Sequence, residues 1–381
     1  MNSTADIVII GAGVHGASLA FHLAQAGAGK IVLLEKKNIA GGPTAKSGAM
    51  IRPLFKDAVY IQLIQDATAM FENWDDCVGG DPGFVQRGFL RITRKLDDQT
   101  LVGDLDLMKK LAVPYEIIST DDLLQYTPTG KFVGDEVGLL LPRGGYADPV
   151  LTTMSLARAA KRHGVQIMEG VSVVGIEVKQ GHICAVETDA GRINTRLVVN
   201  CAGAWYDRLA AMAGVQLPIE VRRVSTCLFR RPESMMVEGP ILSDGVNRIM
   251  LRSVDQTLFR SGLFGSTPDP VDPDSYDESI QSEKIGSFRD ALQKRYDGLK
   301  QATSFGGFSA VYDMTPDRHP IVGPIGQVEG FWCDCGWSGN GFAGAPAVGR
   351  CLAAQIMGED SDIDLSMFCW PRSSSVKVRA S

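Results

Sequence analysis

The chain has 381 residues, 45% of them hydrophobic and 22% charged, with a net charge of −6 at pH 7. This is material for one large or two medium globular domains with a sizeable buried core, and its scattered basic residues leave no electrostatic footprint for nucleic acid. Apolar stretches are broken by glycine or charge well short of the roughly 20 residues of a membrane span, and the N-terminus lacks the basic and apolar regions of a signal peptide, so a cytoplasmic protein without a membrane span is expected. The eight cysteines are dispersed, and the closest pair, Cys333 and Cys335, has no histidine or second pair beside it. Reduced, mostly buried thiols and no metal site are expected.

In chain order, Asp6 to Ile10 reads as a short buried strand, Val14 to Gln25 as a helix and Ile31 to Glu35 as a second strand. Gly11, Gly13 and Gly16 stand between them in the spacing G-x-G-x-x-G. The first glycine suits the tight turn, the second a close approach of backbone to a pyrophosphate, and the third close packing of helix on strand. The helix N-terminus supplies free N–H groups for phosphates, and Glu35, about 20 residues on, can accept hydrogen bonds from an adenosine ribose. Val14 and His15 within the motif, and Lys36 beside the acid, are expected to line the cofactor; His15 is assigned no chemistry. FAD and NAD satisfy this fingerprint equally well.

Next comes "EKKNIAGGPTAKSGAMIRPLF", a Gly-rich, hydroxyl-bearing loop leading into a helix that begins near Asp57. Thr44 and Ser47 can donate to a pyrophosphate or ring edge, and Gly48 and Ala49 leave room for a ring on the backbone; the plainer alternative is a solvated loop of small residues. "GFVQRGFLRITR" reads as strand, "YADPVLTTMSLARAAKRHGVQIMEGVSVVGIEV" as a helix from Asp148 and then strands. In "TRLVVNCAGAWYDRLA" an apolar strand through Val198, Val199 and Asn200 ends in Ala202, Gly203 and Trp205, which could bring backbone to a cofactor or simply close a core strand. "VRRVSTCLFRR" and "NRIMLRSVDQTLFRSGLFG" are strand-rich, with alternation visible from Val221 to Arg230. Finally "GFSAVYDMTPDRHPIVGPIG" precedes "GFWCDCGWSGNGFAGAPAVGRCLAAQIMG", where a turn of Gly339, Asn340, Gly341 and Phe342 leads to a helix expected from about Ala343 to Ile356. The Ser-rich, basic tail after Arg372 is expected to fray.

These stretches, in this order over nearly the whole chain, resemble the FAD-dependent D-amino acid oxidase superfamily, and within it the branch of sarcosine oxidase, glycine oxidase and dye-linked proline dehydrogenase. The resemblance implies an α/β chain, α+β overall. A Rossmann-type FAD-binding domain (1–84, 145–215 and 310–381) is interleaved with a mainly antiparallel β substrate-binding domain (85–144 and 216–309) that roofs the flavin. Val173 would contact adenine through its backbone. The second helix N-terminus, aimed at the flavin, would stabilise the negative charge that develops at N1 and O2 on reduction, an arrangement no nicotinamide requires, so FAD is the expected cofactor.

The resemblance implies hydride transfer from a CH–NH bond of a small amino acid, secondary or N-methyl such as sarcosine or proline, to flavin N5, the imine then hydrolysing. Arg52 matches a substrate-side arginine of the sarcosine oxidase pattern and is the candidate carboxylate anchor, a salt bridge at a loop end being the alternative. Arg252 lies on a roof strand where the family often has a polar or cationic residue. Tyr312 stands where D-amino acid and glycine oxidases place a carboxylate-binding arginine. His319 is a proton handler or, on family context, a structural loop residue.

Several positions depart from the family. Ala310, five residues ahead of Thr315, replaces the cysteine that tethers flavin in monomeric sarcosine oxidase, so FAD is expected to be non-covalent. Ala343 replaces a lysine, and Phe259 and Arg260 offer no clear counterpart of the lysine that helps reduced flavin meet oxygen. The electron acceptor is therefore left between oxygen, a quinone and an electron-accepting partner subunit. A β-type subunit of a hetero-oligomeric amino acid or opine dehydrogenase, a non-catalytic FAD-binding protein and an NAD-dependent dehydrogenase remain as alternatives.

Overall fold

The computed structural model describes residues 2–94, 99–233, 235, 238–265 and 268–372; the tail expected to fray, 373–381, lies outside them. A six-stranded sheet runs in the order Gln166–Glu169, Ile31–Glu35, Ile7–Ile10, Val198–Asn200, Phe331–Cys335 and Ile321–Pro324. Every neighbouring pair is parallel except the last. Its inner strands Ile7–Ile10 and Ile31–Glu35 read as nearly unbroken apolar runs because both faces are covered. Ile7, Ile9, Ile31 and Leu33 pack against the helices Val14–Gln25, Pro149–Arg162 and Gly341–Met357. Val8, Ile10, Val32 and Leu34 pack on the other side against the helix Tyr206–Met212 and a four-stranded sheet carrying Ile176, Ile183, Val186 and Ile193.

Local chemistry sets the element boundaries. The first strand starts at Ile7 rather than Asp6, whose carboxylate accepts from the Lys30 amide at 2.6 Å. Gly11 has φ +105, and a Cβ there would lie 2.5 Å from the Cys201 carbonyl oxygen; one on Gly16 would lie 1.9 Å from that of Gly11. Only glycine allows this strand–turn–helix contact. Asp148 caps Pro149–Arg162 through the amides of Val150 and Leu151, at 2.9 and 2.8 Å. The last helix begins at Gly341, two residues before the expected Ala343, and stops at Gly358 in the left-handed conformation.

The remaining strands form a mainly antiparallel eight-stranded sheet: Ser304–Met314, Glu220–Arg230, Leu258–Leu263, Ile249–Ser253, Ile241–Asp244, Phe89–Arg94, Glu136–Leu141 and Glu116–Ile118. One pair within it, Ile241–Asp244 with Phe89–Arg94, is parallel. The strand-rich stretch Gly83–Arg94 is divided. Gly88, at φ +83, separates Phe89–Arg94 from Val85–Gln86, which joins Gly145–Tyr146 and Met50–Ile51 in a separate three-stranded sheet. Helix Ser282–Arg295 covers one face of the large sheet with Phe288, Ala291 and Leu292 against Phe229, Phe259 and Leu251. Alternation along Glu220–Arg230 is weak in the fold, because Val224 and Thr226 turn to a cavity on the opposite face. Strand Ser304–Met314 crosses residue 310, where the expected domain segments divide. Among the described residues no helix is long and apolar enough to cross a membrane.

Candidate active site

Where the large sheet faces the parallel sheet, a cavity of about 420 Å³ opens, within the range of about 300–1,000 Å³ usual for small-molecule sites. One end is the first Gly-rich turn. Val14 amide donates to Thr44 Oγ1 at 3.3 Å, tying the loop after the second strand to the helix N-terminus, and Gly13 leaves the approach open. Glu35 accepts from the Ala12 amide at 2.9 Å and the Lys37 amide at 2.8 Å, so this acid braces the turn and keeps further lone pairs for a ribose. Lys36 lies over the Trp205 ring at 3.6 Å, and its ammonium is lowered to about 8 by burial and by Lys37 and Arg208, against Glu35.

The other end is built by the second Gly-rich turn. Gly339, at φ +85, lies against the Tyr312 ring, where a Cβ would come within 2.6 Å of Cε2. Gly341 lies against His15 and Trp337. His15 Nδ1 is 3.0 Å from Asp334 Oδ2, Trp337 Nε1 donates to Asp334 Oδ1 at 2.7 Å, and the two rings stack with centroids 4.7 Å apart. Asp313, which accepts from the Gly336 amide at 2.7 Å, is held above the ordinary carboxyl range by burial.

Beneath the roof sheet the cavity is cationic. Arg52 packs on Phe55 and Phe89 at 5.0 and 5.5 Å and pairs with no carboxylate among the described residues, contrary to the salt-bridge alternative. Burial, and next Arg91, lower its guanidinium to about 10 against the pull of Tyr312. Arg260 donates to the carbonyls of Ser47 and Lys46, both at 2.6 Å, and to Thr226 Oγ1 at 3.2 Å. Burial and Arg252 lower it to about 10 as well. Tyr312 lines the cavity; desolvation raises its phenol, opposed by Arg260 and Arg52. A group that brings negative charge to this end meets two desolvated cations and a phenolic donor.

All the expected cofactor-lining residues reach the cavity wall except Gly16, which acts beneath it by packing on Gly11; Arg52 and Tyr312 reach it too. Arg252 does not. It lines a smaller pocket with Tyr126 and Tyr296, its guanidinium 4.2 Å from the Tyr146 ring centre. His319 is also outside the cavity, with Nε2 3.1 Å from Asp57 Oδ2, a contact that raises its pKa. Arg260, Asp313, Asp334 and Trp337 line the wall without having been singled out as site residues. Asp334 and Trp337 do carry a signal, an acid and a tryptophan three residues apart between a strand and a Gly-rich turn. Arg260 shows none, since its acceptors lie in a loop 213 residues away.

The cavity fits FAD on its own geometry. Two Gly-rich helix N-termini, for Val14–Gln25 and Gly341–Met357, line one space, and the polar atom His15 Nε2 is buried without a hydrogen-bond partner among the described residues. Ala310 on the wall offers no nucleophile, and burial raises the Cys201 thiol, also on the wall, well above its usual range.

Comparison with known proteins agrees. The sequence model of the DAO family, described as FAD dependent oxidoreductase, matches residues 6–355. The chain is 28% identical to mitochondrial sarcosine dehydrogenase of Mus musculus over 93% of its own length and 40% of that protein, so it spans about two fifths of this relative. It is 22% identical to sarcosine oxidase subunit beta of Rhodobacter capsulatus, covering 92% of this chain and 84% of that one. The crystal structure of L-proline dehydrogenase from P. horikoshii superposes with a TM-score of 0.87 at 25% identity, covering 97% of both chains.

Proposed function

The chain belongs to the FAD dependent oxidoreductase family, and from that premise we propose that it oxidises the CH–NH bond of a small amino acid, secondary or N-methylated. The observation that carries this reading is Arg52: a desolvated guanidinium that pairs with no carboxylate among the described residues, beside a phenol, at the cationic end of a cavity that fits FAD. A substrate carboxylate supplies the missing anion. The chemistry FAD supplies when bound is acceptance of a hydride from the carbon next to nitrogen.

The chain's own residues do the rest. Gly11, Gly13, Thr44 and the first helix N-terminus hold the pyrophosphate, and Glu35 faces the adenosine ribose. Val173, Ala202 and Gly203 would bring backbone and modest side chains to the adenosine half, and Trp205 its indole ring, over which Lys36 lies. Ser47, Gly48, Ala49, Asn340, Gly341 and Phe342 form the ring's surroundings, with the second helix N-terminus favouring negative charge there. Arg52 and the Tyr312 hydroxyl would hold the substrate carboxylate and so orient the α-carbon and nitrogen for the reaction. Arg260 acts on the loop rather than on substrate, holding Lys46 and Ser47 by their carbonyls.

The product imine hydrolyses outside the hydride step. Oxygen, a quinone or a partner subunit would take the electrons, and the likeness to a sarcosine oxidase subunit beta supports assembly with a partner subunit. The test is the visible spectrum of the purified protein under strict anaerobiosis, before and after adding sarcosine, L-proline, D-amino acids or glycine. A flavin band bleached by a secondary amino acid is the expected outcome, and slow recovery in air marks a dehydrogenase. A band that no member of the panel bleaches, with or without added dye, overturns the proposed reaction.

A further inference from the structure

His15 occupies a variable position of the first Gly-rich turn, yet its surroundings are specific. Asp334, whose side chain is 0% exposed, has both oxygens engaged, Oδ2 by His15 Nδ1 at 3.0 Å and Oδ1 by Trp337 Nε1 at 2.7 Å. The indole stacks on the imidazole and fixes its plane. A buried carboxylate at Nδ1 selects the tautomer that carries its proton there. Nε2 is then the free end of a ring held by Asp334 and Trp337, and among the described residues it is buried without a hydrogen-bond partner. An unpaired buried polar atom costs free energy that a ligand can recover.

The position of that atom narrows the ligand. His15 follows Gly13 and Val14 at the pyrophosphate turn, and its Nε2 lies against Gly341, where a Cβ would come within 2.7 Å, at the start of the second helix. It therefore stands between the cradle for the phosphates and the cradle for the ring. In FAD those two parts are joined by a ribityl chain bearing three hydroxyls. A hydroxyl also meets the ring in either protonation state, donating to neutral Nε2 or accepting from Nε2–H.

We propose that His15 is a positioning residue for the cofactor, its Nε2 hydrogen-bonded to a ribityl hydroxyl of bound FAD while Asp334 and Trp337 hold the imidazole in place. This rests on the reading of the cavity as an FAD site. It gives the chain a contact to the middle of the cofactor that is made by a side chain, and it ties the two helix N-termini to one another.

The experiment is a binding cycle. Protein stripped of flavin is titrated with FAD and with FAD analogues lacking the 2′-, 3′- or 4′-hydroxyl of the ribityl chain, and Kd is read from flavin fluorescence. One analogue is expected to bind the wild type about five- to tenfold more weakly than FAD, the size of one hydrogen bond. His15→Ala should weaken FAD by a similar factor and bind that analogue and FAD alike, while His15→Gln recovers part of the discrimination. Equal losses for every analogue in wild type and His15→Ala overturn the inference and leave the cofactor reading standing. If His15→Ala does not fold, His15→Gln and the wild-type series decide, and a wild type that binds all analogues as well as FAD overturns it. A wild type that binds no FAD overturns both.

Discussion

The guanidinium of Arg260, on the roof sheet, donates to the backbone carbonyl of Ser47 at 2.6 Å and so fastens the loop after the second strand of the parallel sheet. A second arm reaches Lys46 carbonyl at 2.6 Å, which makes the contact a two-pronged one that lysine cannot reproduce. Arg260→Lys is therefore expected to behave much like Arg260→Ala. Both should raise the Kd for FAD about tenfold, since bonds from a charged donor are worth about 1.5–3 kcal/mol. Fluorescence titration of stripped protein checks it, with far-UV circular dichroism as the control for folding.

Among the described residues Arg52 has no carboxylate partner, so its removal orphans no charge there. Arg52→Ala should fold normally and raise KM for the amino acid about a hundredfold, the scale for deleting one partner of a desolvated charge pair. The loss should vanish for an amine substrate that lacks the carboxylate. Steady-state kinetics with the acid and its decarboxylated analogue separate anchoring from a structural role; equal losses on both would refute it.

His22, inside the first helix, is lowered to about 4 by burial and next by the charge of Arg350, opposed by a bond to the Pro346 carbonyl. In the unfolded chain it titrates near its ordinary 6.5. Below that value the unfolded state takes up a proton that the folded state refuses. Stability is thus lost as pH falls from about 6.5 to about 4, by about 3 kcal/mol at the lower limit. Urea unfolding at pH 7 and pH 4.5 should show the loss in wild type and a smaller one in His22→Leu.

Arg295 is 1% exposed and joins two buried acids, with Nε 2.7 Å from Asp244 Oδ2 and Nη1 2.6 Å from Glu136 Oε2. Arg295→Ala strands both carboxylates beneath helix Ser282–Arg295 and should cost about 3–5 kcal/mol. Replacing all three residues by apolar side chains of similar volume should restore most of that loss. Denaturant midpoints of the single and triple variants test the difference.

Sequence alone determined the parts whose causes are local. Helix Val14–Gln25 and strand Ile31–Glu35 appear at the residues expected, because apolar runs, glycine spacing and backbone geometry act over a few residues. The cofactor-lining glycines could be read for the same reason, each being required by its own turn. What the tertiary structure alone decided is which distant groups share a wall. His15 meets Asp334 across 319 residues, and Arg260 meets Ser47 across 213. Arg252 and Arg260 lie on neighbouring strands and look alike as letters, yet one stacks on Tyr146 at a separate pocket and the other enters the cavity. Paired directly across those strands they share a face of the sheet, so what divides them is the neighbour each meets, Tyr146 for one and the carbonyls of Lys46 and Ser47 for the other, contacts that no local window contains.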